Sequence, residues 1–121
     1  MAVDRELETL FFEETAANSG AALRALRPDR KGLPLDPETR AMLVRTFHIL
    51  AGTAGLVGHA DWGRLAAAAE VATRRWLEAG AIEPVKMALI RDTLAAVAAF
   101  AEGKSTPGPM ILLDQWRQKG V

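Results

Sequence analysis

Residues 36–58 read DPETRAMLVRTFHILAGTAGLVG, and the rest of the chain is best read outward from them. Asp36 is a good N-cap, Pro37 suits the first helical position, and Glu38 complements the positive end of a helix dipole. The pattern predicts a helix running to about Val57 and stopping at Gly58, a residue suited to a left-handed turn. Place His48 at 0° and step about 100° per residue. Leu43, Phe47, Leu50, Ala54 and Val57 then fall at roughly 180–260°, a seam that faces a core. Ala41, Arg45, Gly52 and Gly55 lie within about 60° of His48, on the other side.

That arrangement has a cost. A glycine inside a helix loses about 1 kcal/mol relative to alanine, and this helix carries two. Small residues can let a second helix approach, which is one explanation. The other follows from what shares the face. Gly52 and Gly55 lie with His48 and Arg45, not with the apolar seam. A polar face stripped of bulk suits an imidazole that another protein must reach. A neutral imidazole is nucleophilic near neutral pH, because its unperturbed pKa is about 6.5. It can attack a phosphoryl group and hold it as a phosphoramidate, and phosphoryl transfer is largely positioning and charge stabilisation.

Helix signals continue on both sides. Leu7, Leu10, Phe11, Leu23 and Leu26 fall on helical spacings, which predicts a first helix over about Asp4 to Leu26, with a kink or break at Asn18-Ser19-Gly20. Residues 27–34 hold two prolines and a glycine and read as a loop. Asp61 is placed to cap a third helix ending near Glu78 or Ala79, before Gly80. Pro84 opens a fourth that ends near Ala101. No segment alternates with period two, so no strand is expected. The expected fold is all-α: an antiparallel four-helix bundle over residues 1–102. Residues 103–121 form a linker and an apolar tail, which either docks as a short extra helix or serves as a partner-binding peptide.

Composition narrows the functions. The 121 residues leave room for one domain and none for an additional ATP-binding kinase domain. No cysteine means no disulfide framework, no thiolate metal site and no cysteine nucleophile. Two histidines make a His-rich metal cage improbable, and no cofactor is expected. Fifteen acids balance fifteen bases, which argues against nonspecific nucleic-acid binding. No apolar run approaches the length of a membrane span, and the first residues lack a signal-peptide pattern, so the expected compartment is the cytoplasm. The charge is nevertheless uneven. Residues 1–23 carry five acids and one base, and residues 24–48 carry six bases and three acids.

His48-Ile49-Leu50-Ala51-Gly52-Thr53-Ala54-Gly55-Leu56-Val57-Gly58 resembles the signature of histidine phosphotransfer (HPt) domains, approximately H-x-L-K-G-S-x-x-x-x-G. His48, Leu50, Gly52, Thr53 (for Ser) and Gly58 match. Phe11 or Phe12 with Leu23 and Leu26 is similar to the family's first helix, and Leu65 to Glu70 to the segment after the signature. The resemblance covers about residues 4–101. It implies a bundle whose exposed His48 takes a phosphoryl group from a receiver-domain aspartate or a histidine kinase and passes it to a response regulator. The same fold also serves as the phosphotransfer module of chemotaxis-type kinases. The expected partners are therefore receiver domains and kinases, with the chain itself a monomer and without kinase activity.

One departure stands out: the family's lysine, three residues after the histidine, is Ala51 here. Arg45, at i−3, is the leading substitute cation, and Arg64 is the second. The loss also opens an alternative, a catalytically silent binding module of the same fold that regulates a kinase or response regulator. A third reading is a structural helical protein whose glycine face packs a second protomer. The remaining residues take plainer roles. His59 reads as a surface histidine in a turn, Trp62, Trp76 and Trp116 as packing residues, Arg74 and Arg75 as a solvated pair, and Glu70 and Asp92 as surface acids.

Overall fold

The computed structural model describes residues 4–26 and 35–119. The loop expected over 27–34 lies outside them. Five α-helices follow in order: α1 (Arg5–Ala25), α2 (Pro37–Thr53), α3 (Ala60–Glu78), α4 (Pro84–Ala101) and α5 (Pro109–Lys119), with a 3-10 turn at Ala54–Val57. No strand occurs among the described residues. Among the described residues no helix is long and apolar enough to cross a membrane.

The helix starts follow their capping chemistry. Asp4 Oδ1 accepts from the backbone N–H of Glu6 at 2.8 Å, which satisfies one of the free donors of the first turn of α1. Asp36 does the same for Thr39 N–H at 2.8 Å, with Pro37 as the first residue of α2. α1 then runs unbroken through Asn18-Ser19-Gly20. The buried Ser19 hydroxyl is satisfied locally, donating to the Thr15 carbonyl at 2.6 Å, so the helix loses no hydrogen bonding there.

Two boundaries differ from expectation. α2 does not continue as an α-helix to Val57. It ends at Thr53, and its last turn tightens into the 3-10 segment before Gly58, whose φ of 86° is left-handed. The N–H of His59 reaches the Ala54 carbonyl at 2.8 Å, and that of Gly58 reaches Gly55 at 3.3 Å. The tighter winding closes carbonyls that would otherwise stay open as the chain reverses into α3. α3 begins at Ala60, so Asp61 is not its cap. His59 occupies the cap position without a side-chain bond, and Asp61 sits in the first turn, 3.2 Å from Arg64.

The helices pair as antiparallel neighbours. Along α2 and α3, Arg40 Nη2 donates to the Leu77 carbonyl at 2.8 Å, and His48 faces Glu70. At the other end Gly63 lies against the Ala51 carbonyl and Ala54. A Cβ on Gly63 would sit 3.5 Å from that carbonyl oxygen and 3.6 Å from the Ala54 methyl, an ordinary contact that leaves no room for a side chain larger than alanine. Along α1 and α4, Arg91 Nε donates to the Leu26 carbonyl at 3.1 Å, and Phe11 and Phe12 meet Phe100 at the opposite end. The seam expected on α2 is the core: Leu43, Phe47, Leu50, Ala54 and Val57 are all buried. Leu65, Ala69, Ala72 and Trp76 face them from α3, also buried.

The apolar tail folds inward as α5. Leu112, Leu113 and Trp116 are buried. Trp116 stacks on Trp76 with ring centroids 5.3 Å apart, meets Phe47 edge-on at 6.1 Å, and donates its indole N–H to Thr93 at 2.8 Å. A buried tryptophan needs a partner for that N–H, and α4 supplies it.

His59 is not a plain surface histidine. Its ring packs among Phe11, Phe12 and Phe100, with centroids 5.1–6.1 Å away. Its Nε2 is buried without a hydrogen-bond partner, and Glu8 is 3.9 Å away. Nε2 is therefore covered, although 29% of the side chain remains exposed.

Candidate functional site

His48 projects from the middle of α2 with 69% of its side chain exposed. Its Nδ1 lies 3.1 and 3.2 Å from the two carboxylate oxygens of Glu70 on α3. Glu70 is mostly covered, with 14% of its side chain exposed. Arg74, one turn further along α3, donates through Nε at 3.0 Å and Nη2 at 2.9 Å to Glu70 Oε2. The chain Arg74–Glu70–His48 has a defined direction. An ionised carboxylate only accepts, so Nδ1 carries the imidazole proton and donates it. In the neutral ring Nε2 then holds the lone pair, and it makes no hydrogen bond with any described residue. A carboxylate behind one ring nitrogen fixes the ring's orientation.

The glycines on this face are not spacers for another helix of the chain. A Cβ added at Gly52 or Gly55 would meet nothing within 4 Å, in contrast to Gly63. Both are exposed, as are Ala41 and Arg45. The surface around His48 is therefore low and open to an approaching molecule. Ala51 is half-buried, and it places no charge beside the ring. Arg45 makes no ion pair with any described residue. Arg64 is paired with Asp61.

An apolar patch adjoins the site. Leu7, Leu10 and Leu56 are 46%, 49% and 70% exposed. With Phe11, Ile49 and Val57 they line a cavity of about 80 Å³ between α1 and the end of α2, with Glu14 at its rim. Leu7 and Leu10, which fall on the helical spacings of α1, thus stay about half exposed. Ile49 joins this patch directly to His48. Among the described residues no three His, Asp or Glu side chains gather as a metal site requires.

Glu70 and Arg74 were read from the sequence as a surface acid and as half of a solvated arginine pair; the structure places both in the site. The i,i+4 spacing of Glu70 and Arg74 is itself a readable signal. The facing of His48 and Glu70 follows from the turn: in two antiparallel helices joined at Gly58-His59, residues equidistant from that turn lie opposite each other. Arg40 and Leu77 satisfy this, and His48 and Glu70 do so to within one residue. No family model, curated protein or solved structure matches the chain.

Proposed function

We propose that the chain is a histidine phosphotransfer protein, with His48 as the phosphoacceptor and α1 to α4 as the antiparallel bundle that carries it. The observation that supports this most is the state of the His48 ring: exposed, held at Nδ1 by a carboxylate, and open at Nε2. In the reaction, the Nε2 lone pair attacks the phosphorus of an aspartyl phosphate on a receiver domain. The N–P bond forms, the P–O bond to the aspartate breaks, and the carboxylate leaves with the electron pair. Positive charge develops on the ring, with its Nδ1–H directed at Glu70, which stabilises it. Reversal delivers the group to a second receiver. Gly52 and Gly55 leave room for the receiver to bring its aspartate in line.

A receiver domain phosphorylated on its aspartate, incubated with the chain, should yield an acid-labile phosphoprotein. The variant His48→Gln should stay unlabelled. Equal labelling of that variant would remove His48 from the reaction.

Ala51 favours a second reading, a binding module that holds a receiver or kinase without accepting the phosphoryl group. It predicts that the complex survives His48→Gln and that no phosphohistidine forms on the native chain.

A further inference from the structure

We propose that Arg45 is the cation that meets the phosphoryl group on His48, in place of the missing positive charge at Ala51. This rests on the phosphotransfer reading above. A phosphoryl group on Nε2 is dianionic near neutral pH, and its charge needs a partner within a few ångströms. Three arginines lie on or beside the His48 face, and the structure separates them.

Arg74 is committed. Both its Nε and Nη2 bond to Glu70 Oε2, so its charge is spent on the carboxylate behind the ring. Arg64 is badly placed. Glu70 marks the level of His48 on α3, and Arg64 lies six residues from it, about 9 Å along the axis. Helical side chains lean toward the N-terminus of their own helix. On α3 that direction carries Arg64 away from Glu70 and toward Asp61, its observed partner at 3.2 Å.

Arg45 has the opposite geometry. It is three residues from His48 on the same helix, about 4.5 Å along the axis and about 60° round it. Both side chains lean toward the N-terminus of α2, so their offset stays that of i,i+3 neighbours. The Arg45 guanidinium is exposed and has no ion-pair partner among the described residues, so it pays no exchange of partners to turn toward a phosphoryl group. The fork of N–H donors matches phosphoryl oxygens. The charge that the HPt signature places one turn after the histidine is thus supplied from one turn before it.

The test needs no cognate partner. Phosphoramidate transfers its phosphoryl group to an accessible imidazole: the Nε2 lone pair forms the new N–P bond, the reagent's N–P bond breaks, and its nitrogen leaves as ammonia after taking a proton from water. The full chain is labelled in this way, and the formation and decay of phosphohistidine are followed by ³¹P NMR. Arg45→Ala should slow formation or shorten the lifetime by roughly two- to fivefold, the range for one exposed charge contact. Arg45→Lys should retain part of the effect, and Arg64→Ala should match the native chain. Adding Ala51→Lys to Arg45→Ala should restore the native behaviour, which a purely structural role for Arg45 would not produce. Rates and lifetimes in Arg45→Ala equal to those of the native chain would overturn the proposal while leaving His48 as acceptor. Failure of the native chain to label on His48 would overturn the phosphotransfer reading itself, and this inference with it.

Discussion

In the proposed phosphotransfer, the chemistry at residue scale depends on one hydrogen bond. Glu70 holds Nδ1 of His48, and Arg74 holds Glu70, so the ring presents Nε2 rather than rotating freely. A hydrogen bond to a charged group contributes about 1.5–3 kcal/mol. The charge on the ring is largest when phosphoryl transfer is under way, so most of that contribution falls in the transition state. Glu70→Ala is therefore expected to lower the rate of His48 phosphorylation by about ten- to a hundredfold. Glu70→Gln keeps an acceptor oxygen and should lose less. Both are measured as labelling rates, with thermal melting as the control for folding. Arg74→Ala should fall between the native chain and Glu70→Ala, because it leaves the carboxylate in place without its second anchor. His48 itself was legible from its helical face and its small neighbours. Glu70 was not, because 22 residues separate the two and local periodicity carries no information across a turn. Only the α2–α3 register connects them.

The three glycines near the α2–α3 crossing divide by role at element scale. Gly63 is packed against the end of α2, whereas Gly52 and Gly55 face open space. Opposite outcomes follow. Gly52→Ala should stabilise the chain by about 0.5–1 kcal/mol, since alanine is the better helix former and nothing obstructs its methyl group. Gly63→Leu should destabilise it by about 1–3 kcal/mol, because the larger side chain must push α3 away from the Ala51 carbonyl. It should also slow phosphorylation by loosening the Glu70–His48 contact. Denaturant melts measure the first effect of each. Gly52→Leu adds a functional contrast: labelling by phosphoramidate should be nearly native, while transfer from a receiver domain should fall, because only the protein donor needs the cleared surface. At this scale the sequence was most readable at helix starts, where Asp4, Asp36, Pro37 and Pro84 act through local hydrogen bonds or a fixed φ. The end of α2 was less readable. The switch to 3-10 winding after Thr53 answers to the reversal into α3, which is a tertiary requirement. Asp61 illustrates the same limit, since the backbone enters α3 two residues too early for it to cap.

Across the whole molecule, a packed framework carries an open working face. α5 closes the side where Trp116 is covered by Trp76, Phe47 and Thr93. Trp116→Ala should cost about 3–5 kcal/mol of stability, read by thermal or denaturant melting, because it removes a large buried ring and leaves a cavity. The apolar character of this tail was visible in the sequence, but its direction was not, since a short apolar segment serves a core or a partner equally well. The patch at Leu7, Leu10 and Leu56 has the opposite character, being apolar and exposed beside His48. Leu10→Glu combined with Leu56→Glu should leave melting unchanged within about 0.5 kcal/mol, as surface substitutions generally do. The same pair should reduce transfer from a receiver while sparing phosphoramidate labelling. The central claim is that the bundle presents Nε2 of His48 as the phosphoryl acceptor. The most direct test is ¹⁵N–³¹P NMR on the ¹⁵N-histidine-labelled chain after transfer from a phosphorylated receiver, a clean assay because the chain has only two histidines. The account predicts one phosphorus coupled to Nε2 of His48, with Nδ1 still facing Glu70 and His59 unmodified. A phosphoryl group on Nδ1, on His59 or on no histidine at all would contradict it.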